Sequence, residues 1–297
     1  MLPDLLGLAR PLEVVDIGAN PVERDRPYAS LLKAGLARLT GFEPQADICE
    51  RLQRDAGSHE RYLPYAIGDG SVRTFRQTHF SGLSSFLRPD VRALDTFETF
   101  RDNARVVAEI EMPTVRLDDL EEIEHVDFLK IDVQGAELAV LESATRKLAG
   151  AVAIQTELSF VSLYEGQPGF GELDICLRRM GFIPHCFTAI KNCIVSPLVL
   201  NNDARYALRQ LLEADIVYVR DFIRPETLTD DQLRALALVT DYCYQSVDLS
   251  LRCVYVLESR GAVARGASEA YLEHLNHNVL PGITIPPAPI EEAGADE

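Results

Sequence analysis

Leu12-Glu13-Val14-Val15-Asp16-Ile17-Gly18-Ala19-Asn20 is the stretch on which the fold turns. Leu12 to Ile17 is too short for a stable helix and rich in β-branched residues, which suits a parallel strand covered on both faces. Gly18 follows at a forced turn, where the missing Cβ lets the backbone bend and approach a bound molecule. Asp16, near the strand end, is costly to bury unless a polar group meets it. These residues open a ligand-binding β-α-β unit or form an ordinary capped turn after a core strand, and the residues that follow favour the first.

Downstream, Tyr28, Leu31 and Leu32 share a helical face within residues 24–35, with Gly35 as a C-cap. Leu36 to Phe42 reads as a second strand and runs into Glu43-Pro44. In nucleotide-binding folds an acid at this point accepts hydrogen bonds from ribose hydroxyls; the alternative is a solvated Glu before a helix-starting Pro. Gln45 to Ala56 forms an amphipathic helix that stops at Gly57. Arg61 to Ile67 reads as a third strand closed by Gly68-Asp69-Gly70, whose residue types supply the angles of a turn; at the end of a third parallel strand it either only turns the chain or also reaches the edge of a bound base. Ser81-Gly82-Leu83-Ser84-Ser85-Phe86 lines a pocket or merely connects elements, and Val106 to Leu117 is extended.

The sharpest segment is Val126 to Leu138. A strand ends at Asp132, a glycine turn follows at Gly135, and Glu137 to Ala149 is helical with Leu138, Leu141, Ala144 and Leu148 on one side. Ala151 to Leu158 is another strand, with Glu157 near its end. Open α/β sheets bind ligands outside the carboxyl ends of their strands, so Asp16, Asp132 and Glu157 are expected to converge on one rim. Phe182 to Thr188 and Ala214 to Arg220 suit an antiparallel pair at the sheet edge. Residues 1–220 would then form the ligand-binding domain and 221–279 a helical extension packed on it. The proline-containing, acidic stretch 280–297 is expected to be a disordered tail.

Composition narrows the function. With 297 residues and 47% apolar content the chain can bury a large core, and a net charge of −17 argues against a nucleic-acid or anionic-membrane partner. No run approaches the ~20 apolar residues of a membrane span, and no basic-then-apolar leader stands at the N-terminus, so a cytoplasmic protein is expected. The six cysteines show no zinc spacing and suit free thiols in a reducing compartment.

Val14-Val15-Asp16-Ile17-Gly18-Ala19-Asn20, Gly41-Phe42-Glu43-Pro44 and Phe128-Leu129-Lys130-Ile131-Asp132-Val133-Gln134-Gly135-Ala136-Glu137 together resemble the FkbM-type methyltransferase family, over about residues 12–220. The resemblance implies a class I, Rossmann-like α/β fold that uses S-adenosylmethionine, with a mostly parallel seven-stranded sheet whose last strand is antiparallel. By position it puts Asp16, Gly18 and Asn20 beside the methionine part of the cofactor, Glu43 (followed by Pro44) on the ribose, and Asp69 (preceded by Gly68) beside the adenine. The family often carries Glu where this chain has Gln134, which leaves a carboxylate role there unfilled.

Methyl transfer to an alcohol requires the acceptor proton to leave, which calls for a base or a metal. Asp132 is the first choice for acting on the acceptor and also borders the cofactor. Glu157 is the second, and the two together would make an oxygen-rich Mg²⁺ site. Glu137 either joins this catalytic set or only complements a helix N-terminus. The expected partner is a small-molecule or carbohydrate acceptor, with homo-oligomerisation left open. Two other readings are an NAD-dependent oxidoreductase, for which Gly18-Ala19-Asn20-Pro21-Val22-Glu23 keeps only the first glycine of the usual fingerprint, and a binding protein on the same fold without turnover.

Overall fold

The computed structural model describes residues 1–20, 26–97, 100–201, 207–282 and 284. Ten strands form among the described residues: β1 (Leu12–Ile17), β2 (Ala37–Phe42), β3 (Glu60–Leu63), β4 (Ala66–Ile67), β5 (Val72–Thr78), β6 (Val106–Val115), β7 (Phe128–Ile131), β8 (Ala153–Ser159), β9 (Phe182–Cys193) and β10 (Gln210–Arg220). Seven of them make the central sheet in the order β3-β2-β1-β7-β8-β10-β9. The pairs β1–β2, β1–β7, β2–β3 and β7–β8 are parallel, and β10 runs antiparallel to both β8 and β9. This is the Rossmann-like arrangement with an antiparallel last strand. Strand order reverses at β1, whose neighbours are β2 on one side and β7 on the other, and this opens the crevice in which such sheets hold ligands.

The period-two alternation of β1 sorts its side chains into two cores. Leu12 and Val14 enter one apolar cluster, Val15 and Ile17 the other. The helices are α1 (Leu2–Leu6), α2 (Ala29–Lys33), α3 (Ala46–Asp55), α4 (Val91–Thr96), α5 (Glu137–Glu142), α6 (Phe170–Arg179), α7 (Asp230–Tyr244), α8 (Val247–Ser259) and α9 (Ala267–Asn278). On the first face, Leu31 of α2, Leu236 and Val239 of α7 and Leu257 of α8 pack with Val14, Leu39, Phe128 and Val217. On the second, Leu141, Leu173 and Leu177 pack with Ile17, Leu129, Ile154 and Ile216. The C-terminal helices therefore supply one wall of the main core, each fully buried Leu or Val contributing about 1.5–3 kcal/mol. Thr229 starts α7 by accepting from Gln232 N–H, while the Gln232 side chain accepts from Thr229 N–H.

Several element boundaries differ from the sequence reading. Arg61 to Ile67 is two strands: β3 belongs to the central sheet, whereas β4 pairs with β6 in a separate sheet of order β4-β6-β5. The Gly68-Asp69-Gly70 turn therefore closes a strand of the small sheet. The helix expected over 137–149 ends at Glu142, and a separate short turn at Lys147–Ala149 follows, where Asp118 accepts the backbone N–H groups of Arg146 and Lys147. The first crossover helix is only Ala29–Lys33, and residues 21–25 lie outside the described residues. Of the expected tail, residue 283 and residues 285–297 lie outside them as well. Among the described residues no helix is long and apolar enough to cross a membrane.

Candidate active site

A cleft of about 370 Å³ lies at the reversal point, within the roughly 300–1,000 Å³ typical of small-molecule sites. Its floor is formed by Ile17, Gly18 and Asn20 after β1, Glu43 and Pro44 after β2, Asp132 and Gln134 after β7, and Glu157 from β8. The small sheet and the segment beyond it make the opposite wall, with Phe75, Phe80, Phe86 and Phe100. Ser81 to Ser84 also line the cleft, so the small-residue segment is pocket wall as well as connection.

Glu43 is buried yet borders the cleft. Its Oε1 accepts from Gln45 N at 2.8 Å and from Gln45 Nε2 at 3.3 Å, and the Gln45 side chain is itself held by Gln77. Burial pushes the Glu43 carboxyl up from its ordinary value, against the lowering by these hydrogen bonds. A buried acceptor held on one oxygen fits a ligand hydroxyl on the other. Beside it, Tyr65 stacks on Phe42 with ring centroids 6.3 Å apart, giving the cleft an aromatic shoulder.

The acidic end is assembled by Gln134. This residue adopts φ 53°, in the left-handed region, and its carbonyl accepts from Ser85 Oγ at 2.6 Å. Its amide Nε2 donates to Asp132 Oδ1 at 2.7 Å and to Glu157 Oε2 at 3.0 Å. Lys191 of β9 donates to Glu157 Oε1 at 3.3 Å and also pairs with Glu213 of β10. Burial, then the charges of Asp132 and Glu213, push the Glu157 carboxyl well above its usual range, and Lys191 opposes them. Glu137 accepts from the N–H groups of Val133 and Gly135, both at 3.1 Å. Its burial outweighs those bonds and pushes it up to about 7. Carboxylate oxygens of Asp132, Glu137 and Glu157 lie within 4.8 Å of one another.

The remaining expected residues lie elsewhere. Asp16 is 3% exposed and does not line the cleft. Its side chain lies on the sheet face covered by α2, where Tyr28 Oη donates to Oδ2 and Lys130 Nζ is 3.6 Å from Oδ1. The expected single rim of three acids is thus a pair, Asp132 and Glu157, with Asp16 buried beneath α2 and outside the cleft lining. Gly68 and Asp69 border a neighbouring groove of about 230 Å³. Arg73 and Ser71 bind the Asp69 carboxylate there and hold it well below the usual range. A Cβ on Gly68 would meet Thr114 at 2.9 Å, which accounts for that glycine by packing. Lys191, Glu213 and the phenylalanine wall were not legible as site residues, because nothing near them in sequence marks a site.

A family model described as the methyltransferase FkbM domain matches residues 16–184, more than half of the chain. The chain belongs to the FkbM methyltransferase domain family. The matched FkbM stretch holds Gly18, Glu43, Asp132, Gln134 and Glu157, while Lys191, Glu213 and helices α7 to α9 follow it. Over 166 residues the chain is 30% identical to the 2-O-methyltransferase NoeI of Sinorhizobium fredii (strain NBRC 101917 / NGR234), a match covering 52% of this chain and 66% of that protein, just under two thirds of its length. Similar solved structures include magnesium protoporphyrin IX methyltransferase of Synechocystis PCC 6803 with bound SAM (12% identity, TM-score 0.36, 74% of this chain and 76% of that one). Another is methyltransferase FkbM of Methylobacillus flagellatus KT (16% identity, TM-score 0.35, 72% and 45%).

Proposed function

We propose that this FkbM-domain protein is an S-adenosylmethionine-dependent methyltransferase that O-methylates a hydroxyl of a small molecule, sugar or glycan. The observation that carries the reading is a single cleft at the strand-order reversal with Glu43 on one side and the Asp132–Glu157 pair on the other. A ribose acceptor and an acceptor-activating carboxylate thus share one enclosure. The name of the 30% identical relative, a 2-O-methyltransferase, supports oxygen as the target.

When bound, S-adenosylmethionine supplies an electrophilic methyl group on a positively charged sulfur. Glu43 would hold its ribose hydroxyls, and Gly18 and Asn20 would border the amino-acid portion. Asp132 takes the proton of the acceptor hydroxyl, and Gln134 keeps Asp132 and Glu157 in fixed orientation through its two amide hydrogens. Three carboxylates against one lysine at this end of the cleft, Asp132, Glu157 and Glu213 with Lys191, favour a cationic donor and disfavour an anionic acceptor. Reactants seated against the phenylalanine wall would displace water, which strengthens each of these interactions, and alignment of the two reactants can supply up to roughly 7–11 kcal/mol of the barrier reduction. A small-molecule or carbohydrate acceptor and a cytoplasmic location go with this reading, as does a division into a cofactor domain (1–220) and a C-terminal helical wall (221–279).

Titration calorimetry with S-adenosylmethionine and with NAD tests it. Binding of the first and not the second is expected, followed by appearance of a labelled methyl product when enzyme and isotopically labelled donor are added to cell extract and analysed by mass spectrometry. Binding of NAD alone would support the oxidoreductase. Binding of the methyl donor with no labelled product would support a binding protein without turnover.

A further inference from the structure

The cluster of Asp132, Glu137 and Glu157 has the composition of a divalent-cation site: three carboxylate oxygens within 4.8 Å of one another. Magnesium takes about six oxygen ligands at roughly 2.0–2.1 Å. The contacts inside this cluster already engage one oxygen of Asp132, one of Glu137 and both of Glu157. Glu137 Oε1 accepts two backbone N–H groups, from Val133 and Gly135. The Gln134 Nε2 group stands between Asp132 Oδ1 and Glu157 Oε2, bonded to both. Glu157 Oε1 faces the ammonium of Lys191, which Glu213 also binds.

A bridging –NH₂ at 2.7 and 3.0 Å from two carboxylates occupies the position that a bridging cation would take. The amide is held the right way round for this. Two carboxylate oxygens require a donor, so the nitrogen is the end that faces the acids, and the amide oxygen lies 3.2 Å from Tyr164 Oη, which is shared with the Leu83 carbonyl. The backbone behind it is anchored by Ser85 Oγ and kept in a left-handed conformation. Turning the Gln134 side chain out to solvent would break three hydrogen bonds at once.

We infer that Gln134 is a built-in substitute for a metal ion: its amide ties the carboxylates of Asp132 and Glu157 together and, with the Lys191 ammonium on Glu157, keeps divalent cations out of the cluster. The Mg²⁺ site expected from Asp132 and Glu157 is thus filled by this chain's own donors. Gln134 is a positioning residue here, acting on the acceptor only through Asp132. The inference builds on the reading of the cleft as the methyl-transfer site, but its test reads cation binding, so failure of one is distinguishable from failure of the other.

The test uses the full chain without cofactor, wild type and Gln134→Glu, titrated with MnCl₂ by calorimetry and by Mn²⁺ electron paramagnetic resonance, alongside thermal unfolding in Mg²⁺, Mn²⁺ or EDTA. Wild type is expected to bind no Mn²⁺ at this cluster and to keep its unfolding midpoint in all three conditions. Gln134→Glu replaces two donors with a carboxylate. It is expected to bind one Mn²⁺ and to gain roughly 5 °C at a hundredfold excess over the dissociation constant, a gain lost in Gln134→Glu/Glu157→Gln. Gln134→Ala, which removes the amide without adding charge, guards against a misfolded glutamate variant and is expected to bind Mn²⁺ more weakly than Gln134→Glu but above wild type. One Mn²⁺ bound by wild type and lost in Asp132→Asn would overturn the inference. So would folded Gln134→Glu and Gln134→Ala proteins that both fail to bind the ion.

Discussion

A Cβ placed on Gly18 would stand 1.9 Å from the carbonyl oxygen of Asp132. The turn after β1 thus packs directly against the end of β7, and at φ +85° Gly18 also occupies a backbone region that L-residues avoid. Closeness between two strands, as well as space for a ligand, requires the glycine. Gly18→Ala is expected to lose about 2–5 kcal/mol, combining roughly 1–2 for the left-handed backbone with about 1–3 for overpacking. Urea unfolding measures this, and an unchanged midpoint would mean that β7 yields without cost.

Tyr28 and Lys130 account for the buried Asp16 carboxylate. Tyr28→Phe removes the hydroxyl and should cost about 1–3 kcal/mol, the penalty for a buried acceptor left short of a donor. Affinity for S-adenosylmethionine should change less than twofold. A tenfold loss of affinity at unchanged stability would instead make Asp16 a cofactor residue.

Glu43→Ala should lower S-adenosylmethionine affinity about 10- to 100-fold, the equivalent of roughly 1.5–3 kcal/mol for hydrogen bonds to a charged acceptor. Stability should hold or rise, since a carboxyl that burial pushes up is removed. Calorimetry of the variant decides; affinity within twofold of wild type would remove Glu43 from the ribose site.

The Glu137 carboxyl, pushed up to about 7 by burial, binds a proton in the folded chain at pH values where the unfolded chain, with an ordinary value near 4.5, has released it. Stability is therefore greatest below about pH 4.5 as far as this group is concerned, and falls as pH rises from there to about 7, by on the order of 3 kcal/mol. In Glu137→Gln this slope should vanish. Denaturant unfolding of both proteins at pH 5 and pH 8 measures the difference, and parallel pH dependence would show that the group does not titrate in that window.

Asp132→Asn keeps the size of the side chain and removes its basicity. Turnover, followed as labelled methyl incorporated into the acceptor fraction of cell extract, should drop about 10²- to 10⁴-fold. The KM for S-adenosylmethionine should stay within about threefold. A loss confined to KM would make Asp132 a cofactor contact and move the proton transfer to Glu157.

The sequence by itself determined the main strands of the central sheet and the helical C-terminal layer. Short β-branched runs ending at Gly18, Glu43 and Asp132 specify parallel strands with a ligand at their carboxyl ends, and the capped apolar helix from Thr229 specifies the C-terminal layer, because strand periodicity, turn chemistry and caps depend on neighbours a few residues apart. Alternation along β1 even separates Asp16 from Ile17. It does not say which of the two side chains reaches the cleft, and that was decided only in the folded chain, where Ile17 lines the cleft and Tyr28 and Lys130 cover Asp16. The acidic cluster shows the same division. Asp132 and Glu157 are visible as strand-end acids, but the contacts that set their chemistry come from Lys191 on the edge strand, from Ser85 in the wall and from the unusual backbone of Gln134. Such contacts join residues far apart in the chain through strand register and loop closure, so no local pattern encodes them.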